Sequence, residues 1–180
     1  EIAPDQALLD EVTNLVEAPQ PLRGTFDPAN LELPGDVLIS VMKKHQRYFP
    51  VGKGNQLMPY FIAVRNGDGQ GLDTVVDGNE HVIRARFADA AYFVRQDIRQ
   101  PREAYLPRLQ TLTFQVKLGS MLDKVHRVRG LVDDLAPALE LSEAETVIAQ
   151  RAAELCKADL ATNMVVEMTS LQGIMGRHYA

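Results

Sequence analysis

The sequence predicts an α+β fold, with a mixed front part of short strands and a hairpin and a helical part behind it. Three observations carry that expectation. Short strand-like runs at 20–26, 47–51 and 59–64 are punctuated by Pro and Gly. One long apolar stripe at helical spacing follows them. Two capping-box patterns then open further helices in the last third. The change of texture falls at 112/113, so residues 1–112 are an α+β region and 113–180 the start of a helical one. With 180 residues, 46% hydrophobic and 24% charged, the chain has apolar material for a packed core and is not disordered throughout.

Taken in order, Pro4-Asp5 opens a helix with a candidate aspartate cap, and Leu8, Leu9, Val12, Leu15 and Val16 form its apolar side. Pro19 and Pro21 stop it ahead of the first strand. Pro34-Gly35-Asp36 starts a second helix, with Val37, Leu38, Val41 and Met42 inward. Residues 47–51 and 59–64 flank a polar, glycine-containing loop, which predicts a hairpin. Asn66-Gly67-Asp68-Gly69 is the strongest turn signal in the chain. Gly78-Asn79-Glu80 is expected at the entry of a long helix, whose stripe is Ile83, Phe87, Ala90, Ala91, Val94 and Ile98, ended by Pro101. On a helical wheel Arg84, Arg95 and Arg99 share one flank of that stripe. Beyond 113 the pattern is helical only. Ser120 with Asp123 and Ser142 with Glu145 have capping-box spacing. Leu122, Val125, Val128, Val132 and Leu135 line one helix; Ile148, Ala152, Leu155, Leu160 and Val165 line one or two more.

Charge is unevenly distributed. The net charge is −5, but the windows 1–40, 41–80, 81–130, 131–160 and 161–180 carry −7, +1, +6, −5 and 0. A basic middle between acidic flanks suits a local phosphate-facing surface. Internal pairing with the flanks is the competing explanation. No apolar run approaches the roughly 20 residues that span a bilayer. The single cysteine, Cys156, fits a reducing, cytoplasmic setting and, among Ala152, Ala153 and Leu155, a buried structural thiol. Phosphate loops, dinucleotide fingerprints and zinc-type cysteine pairs are absent, and the four histidines lack metal-ligand spacing. His45-Gln46-Arg47-Tyr48-Phe49 joins donors to aromatics, a patch able to stack a base and hold a phosphate, or simply to enter the core. The absence of an initiator Met and the abrupt ending suggest a piece of something longer.

Several strings together resemble one family. They are 171–180 (LQGIMGRHYA), 157–165 (KADLATNMV), Lys117-Leu118-Gly119-Ser120 with Asp123-Lys124 and Arg127, Gly78-Asn79-Glu80, Arg84-Ala85-Arg86 with Asp89-Ala90, and 45–49 (HQRYF). In this order along essentially the whole chain, they are similar to the β subunit of bacterial glycyl-tRNA synthetase. The resemblance implies a division of labour. A small α subunit holds the class II core that binds ATP, Mg and glycine. The long β subunit supplies most tRNA contacts, with an anticodon-binding domain near its C-terminus that this chain does not reach.

The resemblance also implies an HD-like helical region beginning in 113–180. The counterpart of the metal-binding His-Asp pair is then Ala158-Asp159, and alanine cannot ligate a metal. Met168-Thr169-Ser170 and Ala18 depart from the family pattern, which expects a Phe-Pro-Glu type segment and an aromatic residue there. The expected function is therefore a segment of glycine–tRNA ligase, working in tRNA contact and subunit assembly rather than chemistry. Expected tRNA-contacting residues are Arg84, Arg95, Arg99, His45 and Arg47. Expected partners are the α subunit, in a hetero-oligomer of α and β chains, and tRNA(Gly); no membrane, no catalytic residue, metal or cofactor is expected in this segment, which alone is inactive. The alternatives are an HD-type metal-dependent phosphohydrolase and a purely structural subunit-docking module.

Overall fold

The computed structural model describes every residue except Ala3, and for His45 the backbone only. It divides into two compact units, Glu1–Tyr92 and Phe93–Ala180. The architecture is α+β: strands come early and helices dominate later.

In the first unit, helix α1 (Gln6–Leu15) is capped as expected, with the Asp5 carboxylate accepting from the Leu8 amide at 3.0 Å. Asp5 also pairs with Lys43 at 2.7 Å. Strand β1 (Pro19–Thr25) follows. Its prolines are tolerated because the sheet order β1-β3-β2 leaves β1 at an edge. Helix α2 (Gly35–Ser40) runs on into a π-helical turn over Val41–His45, then the hairpin of β2 (Phe49–Lys53) and β3 (Gln56–Asn66) forms. Gly54, with φ +58°, supplies the left-handed turn position. Both β1 and β2 pair antiparallel to β3.

Alternation along β3 separates two cores. Ile62 and Val64 pack with Leu8, Val12 and Phe49 under α1. Phe61 points the other way, stacked on Tyr48 with centroids 4.6 Å apart, while Phe26 meets Phe87 edge-on at 5.0 Å. Val37, Leu38, Val41 and Met42 are buried as the sequence predicts. The long helix α3 (Leu72–Asp97) begins earlier than expected, so Gly78-Asn79-Glu80 lies inside it rather than at its entry. Tertiary contacts explain why a glycine-containing stretch stays helical there. Asn79 accepts from the Tyr48 hydroxyl at 3.0 Å, and Glu80 accepts from the amide and hydroxyl of Thr25 at 2.7 and 2.8 Å.

The second unit starts within the last turns of α3. The stripe holds through Ile83, Phe87, Ala90 and Val94, then breaks: Ile98 is 62% exposed and Asp97 is 2% exposed. Asp97, seven residues after Ala90 and three after Val94, lies on the same face and takes the buried position because its carboxylate is hydrogen-bonded there. A 3₁₀ helix spans Arg102–Thr111. The region after 113 is not helical only, because β4 (Thr113–Gln115) and β5 (Gly119–Ser120) form a small antiparallel ladder. Gly119, at φ +81°, and the Gln115 side chain, which accepts from the Lys117 and Leu118 amides, close that turn locally.

Both capping boxes are present, at the starts of α4 (Met121–Ala138) and α5 (Glu143–Leu155). Tyr105, Leu109, Val125, Ala158 and Ala161 form a buried cluster. A 3₁₀ turn over Ala158–Ala161 and the short helices α6 (Asn163–Glu167) and α7 (Ile174–His178) complete the unit, burying Met164, Val165, Met168, Leu171 and Met175. Two expectations are corrected here. Leu135, Ile148 and Ala152 are exposed rather than lining the core, Leu135 at the rim of its helix's buried sector and Ile148 and Ala152 on the side of α5 turned away from Thr146, Gln150 and Ala153. Cys156 is exposed: it is the C-cap of α5, and its thiol donates to the Ala153 carbonyl at 3.1 Å.

Candidate nucleic-acid interface

The expected RNA-contacting residues are divided between the two units, His45, Arg47 and Arg84 in the first and Arg95 and Arg99 in the second. Arg84 and Arg95 both ride on α3, the first in one unit and the second in the other, and both are exposed. Among the described residues neither has a carboxylate partner, so internal pairing with the acidic flanks is not what holds them. Arg99 lies past the end of α3, where its guanidinium donates to the Gln96 side chain at 3.3 Å. Arg47 is engaged differently: at φ +55° it donates to Glu11 at 2.6 Å. The His45 side chain lies outside the described residues. Tyr48 and Phe49 are core residues, and burial pushes the Tyr48 hydroxyl pKa up. The aromatic pair of the 45–49 segment therefore offers no exposed ring to a base.

Net charge does not favour either unit as a polyanion site. Eight bases and thirteen acids fall in Glu1–Tyr92, eleven of each in Phe93–Ala180. Any phosphate contact rests on local rows of arginine rather than on the field of a whole unit.

Two buried carboxylates organise the second unit, and sequence periodicity missed one of them. Asp97 Oδ1 accepts from the Asn163 amide and side chain, each at 2.8 Å. Its Oδ2 accepts from the Met164 amide at 2.9 Å and the Tyr179 hydroxyl at 3.0 Å. Tyr105 donates to the Asp97 carbonyl at 3.1 Å, with a longer contact to Oδ1 at 3.4 Å. Burial, reinforced by the Asp97 charge, pushes the Tyr179 hydroxyl well above the usual tyrosine range and raises that of Tyr105. One acidic residue on a stripe of apolar ones was the available signal.

Asp159, expected from the resemblance as the counterpart of a metal-binding aspartate, is 4% exposed. It accepts from the Gly173 amide at 2.5 Å and the Gly176 amide at 3.2 Å. Its carboxylate thereby holds the last turn of the chain in place, and a Cβ on Gly176 would come within 3.3 Å of it. Among the described residues no three His, Cys, Asp or Glu side chains gather into a metal-holding group. No helix is long and apolar enough to cross a membrane.

Two clefts open in the second unit. One, of about 590 Å³, is lined by Val147, Ile148, Ala152 and Leu155 together with Arg102 and Arg151. The other, of about 360 Å³, is bordered by Arg99, Arg102, Tyr105 and Tyr179.

All of residues 1–180 match the family model described as the glycyl-tRNA synthetase beta subunit. The chain is 49% identical over 180 residues to the glycine--tRNA ligase beta subunit of Oceanobacillus iheyensis, covering 100% of this chain and 26% of that protein. It is 49% identical to the one from Trichodesmium erythraeum, over 97% of this chain and 25% of the relative, and 45% identical to that of Bacillus subtilis, over 98% and 26%. The chain thus spans about a quarter of the length of these relatives. It belongs to the glycyl-tRNA synthetase β-subunit family.

Proposed function

We propose that this chain is a segment of the β subunit of a glycine–tRNA ligase, which with an α subunit attaches glycine to tRNA(Gly) using ATP in the cytoplasm. ATP, Mg and glycine belong to the α subunit; the present segment contacts tRNA and supports assembly, and by itself is inactive. Family membership over the whole chain supports the first part. The observation that carries the second is the pair Arg84 and Arg95, exposed on one helix with no carboxylate partner among the described residues. Their stems lie beside a buried stripe while the guanidinium groups reach solvent, an arrangement that positions a phosphate backbone without reading sequence. The exposed Leu131 and Leu135 on α4, with Leu139 at its C-cap, support a role in assembly.

Charge reversal in the assembled ligase tests this reading. Arg84→Glu and Arg95→Glu should raise the KM for tRNA while leaving glycine-dependent ATP–pyrophosphate exchange and thermal stability nearly intact. The salt dependence of tRNA binding should flatten by about one unit per lost phosphate contact. Unchanged tRNA kinetics with a lowered melting temperature would make both arginines structural and leave the segment an assembly module.

A further inference from the structure

Although its formal charges balance, the second unit holds a half-buried arginine that no described residue pairs. Arg102, at the start of the 3₁₀ helix, is half-buried and borders both clefts. Among the described residues it has no hydrogen-bond or ion-pair partner. Withdrawing a guanidinium from water without a partner is unfavourable, and such a group is commonly completed by an anion. The smaller cleft adds Arg99, whose guanidinium, among the described residues, donates only to the neutral Gln96 side chain. Both acids that border this cleft are already engaged. Asp97 accepts from two backbone amides, an asparagine side chain and the tyrosine hydroxyls, and Glu103 pairs with Arg151. The cleft of about 360 Å³ therefore offers two arginines with no carboxylate of their own, in a space large enough for a phosphate group.

We propose that this cleft is an oxyanion site, in which the guanidinium groups of Arg102 and Arg99 take the phosphate group of a ligand. The planar fork of Arg102 supplies paired donors to two phosphate oxygens, and Arg99 closes the other side. The same chemistry fits a phosphate of bound RNA or a free phosphate compound. Only the RNA source rests on the function proposed above, and Arg102 and Arg99 can succeed or fail independently of Arg84 and Arg95.

Two measurements on Arg102→Gln and Arg102→Lys, with melting temperatures recorded alongside, test the site. In the first, the full-length subunit is titrated with inorganic pyrophosphate by calorimetry. A free-anion site gives saturable binding that weakens about tenfold or more in R102Q, with R102K between, since lysine keeps the charge but loses the fork. In the second, the assembled ligase is titrated with tRNA at several salt concentrations. An RNA-phosphate site gives a log–log slope lower by about one in R102Q at unchanged melting temperature. Movement in either measurement supports the proposal and identifies the source. It is overturned if neither titration changes, or if any change in binding only follows a fall in melting temperature.

Discussion

Replacing Asp97 by Asn is the sharpest test of how the second unit is held together. The substitution keeps shape and volume, so packing is unchanged, but it turns one of two acceptor oxygens into an NH₂ donor. If the NH₂ takes the Oδ1 position, it meets both donors of Asn163, each 2.8 Å away. If it takes the Oδ2 position, Tyr179 can rotate its hydroxyl and accept, but the Met164 amide, 2.9 Å away, loses its acceptor. The second arrangement is the cheaper. It leaves one buried amide unsatisfied, costing about 1–3 kcal/mol, and removes the charge that strengthens the remaining bonds. The expected loss is about 2–4 kcal/mol. Tyr179→Phe removes one donor from the same carboxylate and should cost about 1 kcal/mol. Urea denaturation followed by far-UV circular dichroism measures both, since the chain has no tryptophan to report by fluorescence. Asp97→Asn within about 0.5 kcal/mol of the parent would refute the reasoning, because an ordinary surface substitution does no more. So would a Tyr179→Phe cost equal to that of Asp97→Asn.

Three further outcomes follow from local geometry. A Cβ at Gly24 would sit 2.2 Å from Cζ of the fully buried Phe61, so Gly24→Ala should cost about 1–3 kcal/mol by overpacking, and adding Phe61→Leu should cost less than the sum of the two single changes; strict additivity in denaturation midpoints would count against it. Hydrogen bonds from the Ser120 amide and hydroxyl hold Asp123 below the ordinary aspartate value of 3.8, and those from the Ser142 hydroxyl and amide hold Glu145 below 4.5. Because both folded-state values are depressed, these carboxylates stabilise fully above the unfolded values and lose that contribution as pH falls below them. The stability gap between the parent and Asp123→Asn or Glu145→Gln should therefore be largest near neutrality and shrink below about pH 4, and a gap unchanged at pH 3 would contradict the caps. Finally, Cys156, exposed at the end of α5, should react with Ellman's reagent in the native chain within about tenfold of its rate in denaturant, and strong native protection would show the thiol to be covered.

Much of the fold was legible because it follows from neighbours in sequence. The Asp5 cap, the two serine capping boxes and the hairpin of β2 and β3 each involve residues a few positions apart, whose preferences act before any tertiary contact forms. The buried Val37, Leu38, Val41 and Met42, and the stripe from Ile83 to Val94, were readable from spacing alone. The family was legible too, from strings whose order runs the length of the chain. For the candidate interface, spacing put Arg84 and Arg95 beside a buried stripe; that neither meets a carboxylate among the described residues could be learned only from the structure.

Other features depended on partners that sequence spacing does not name. Gly78-Asn79-Glu80 reads as a helix entry, yet α3 already runs through it because Asn79 and Glu80 are bonded to Tyr48 and Thr25, residues 31 and 55 positions away. Ile98 reads as the next member of its stripe, yet it is exposed and the structure buries Asp97 instead. The donors that make a buried carboxylate tolerable come from Asn163 and Met164, 66 and 67 positions along the chain. A periodic pattern records only whether a side chain is apolar. Whether a charge can be buried depends on which amides the folded chain brings to it, and that belongs to the tertiary structure alone.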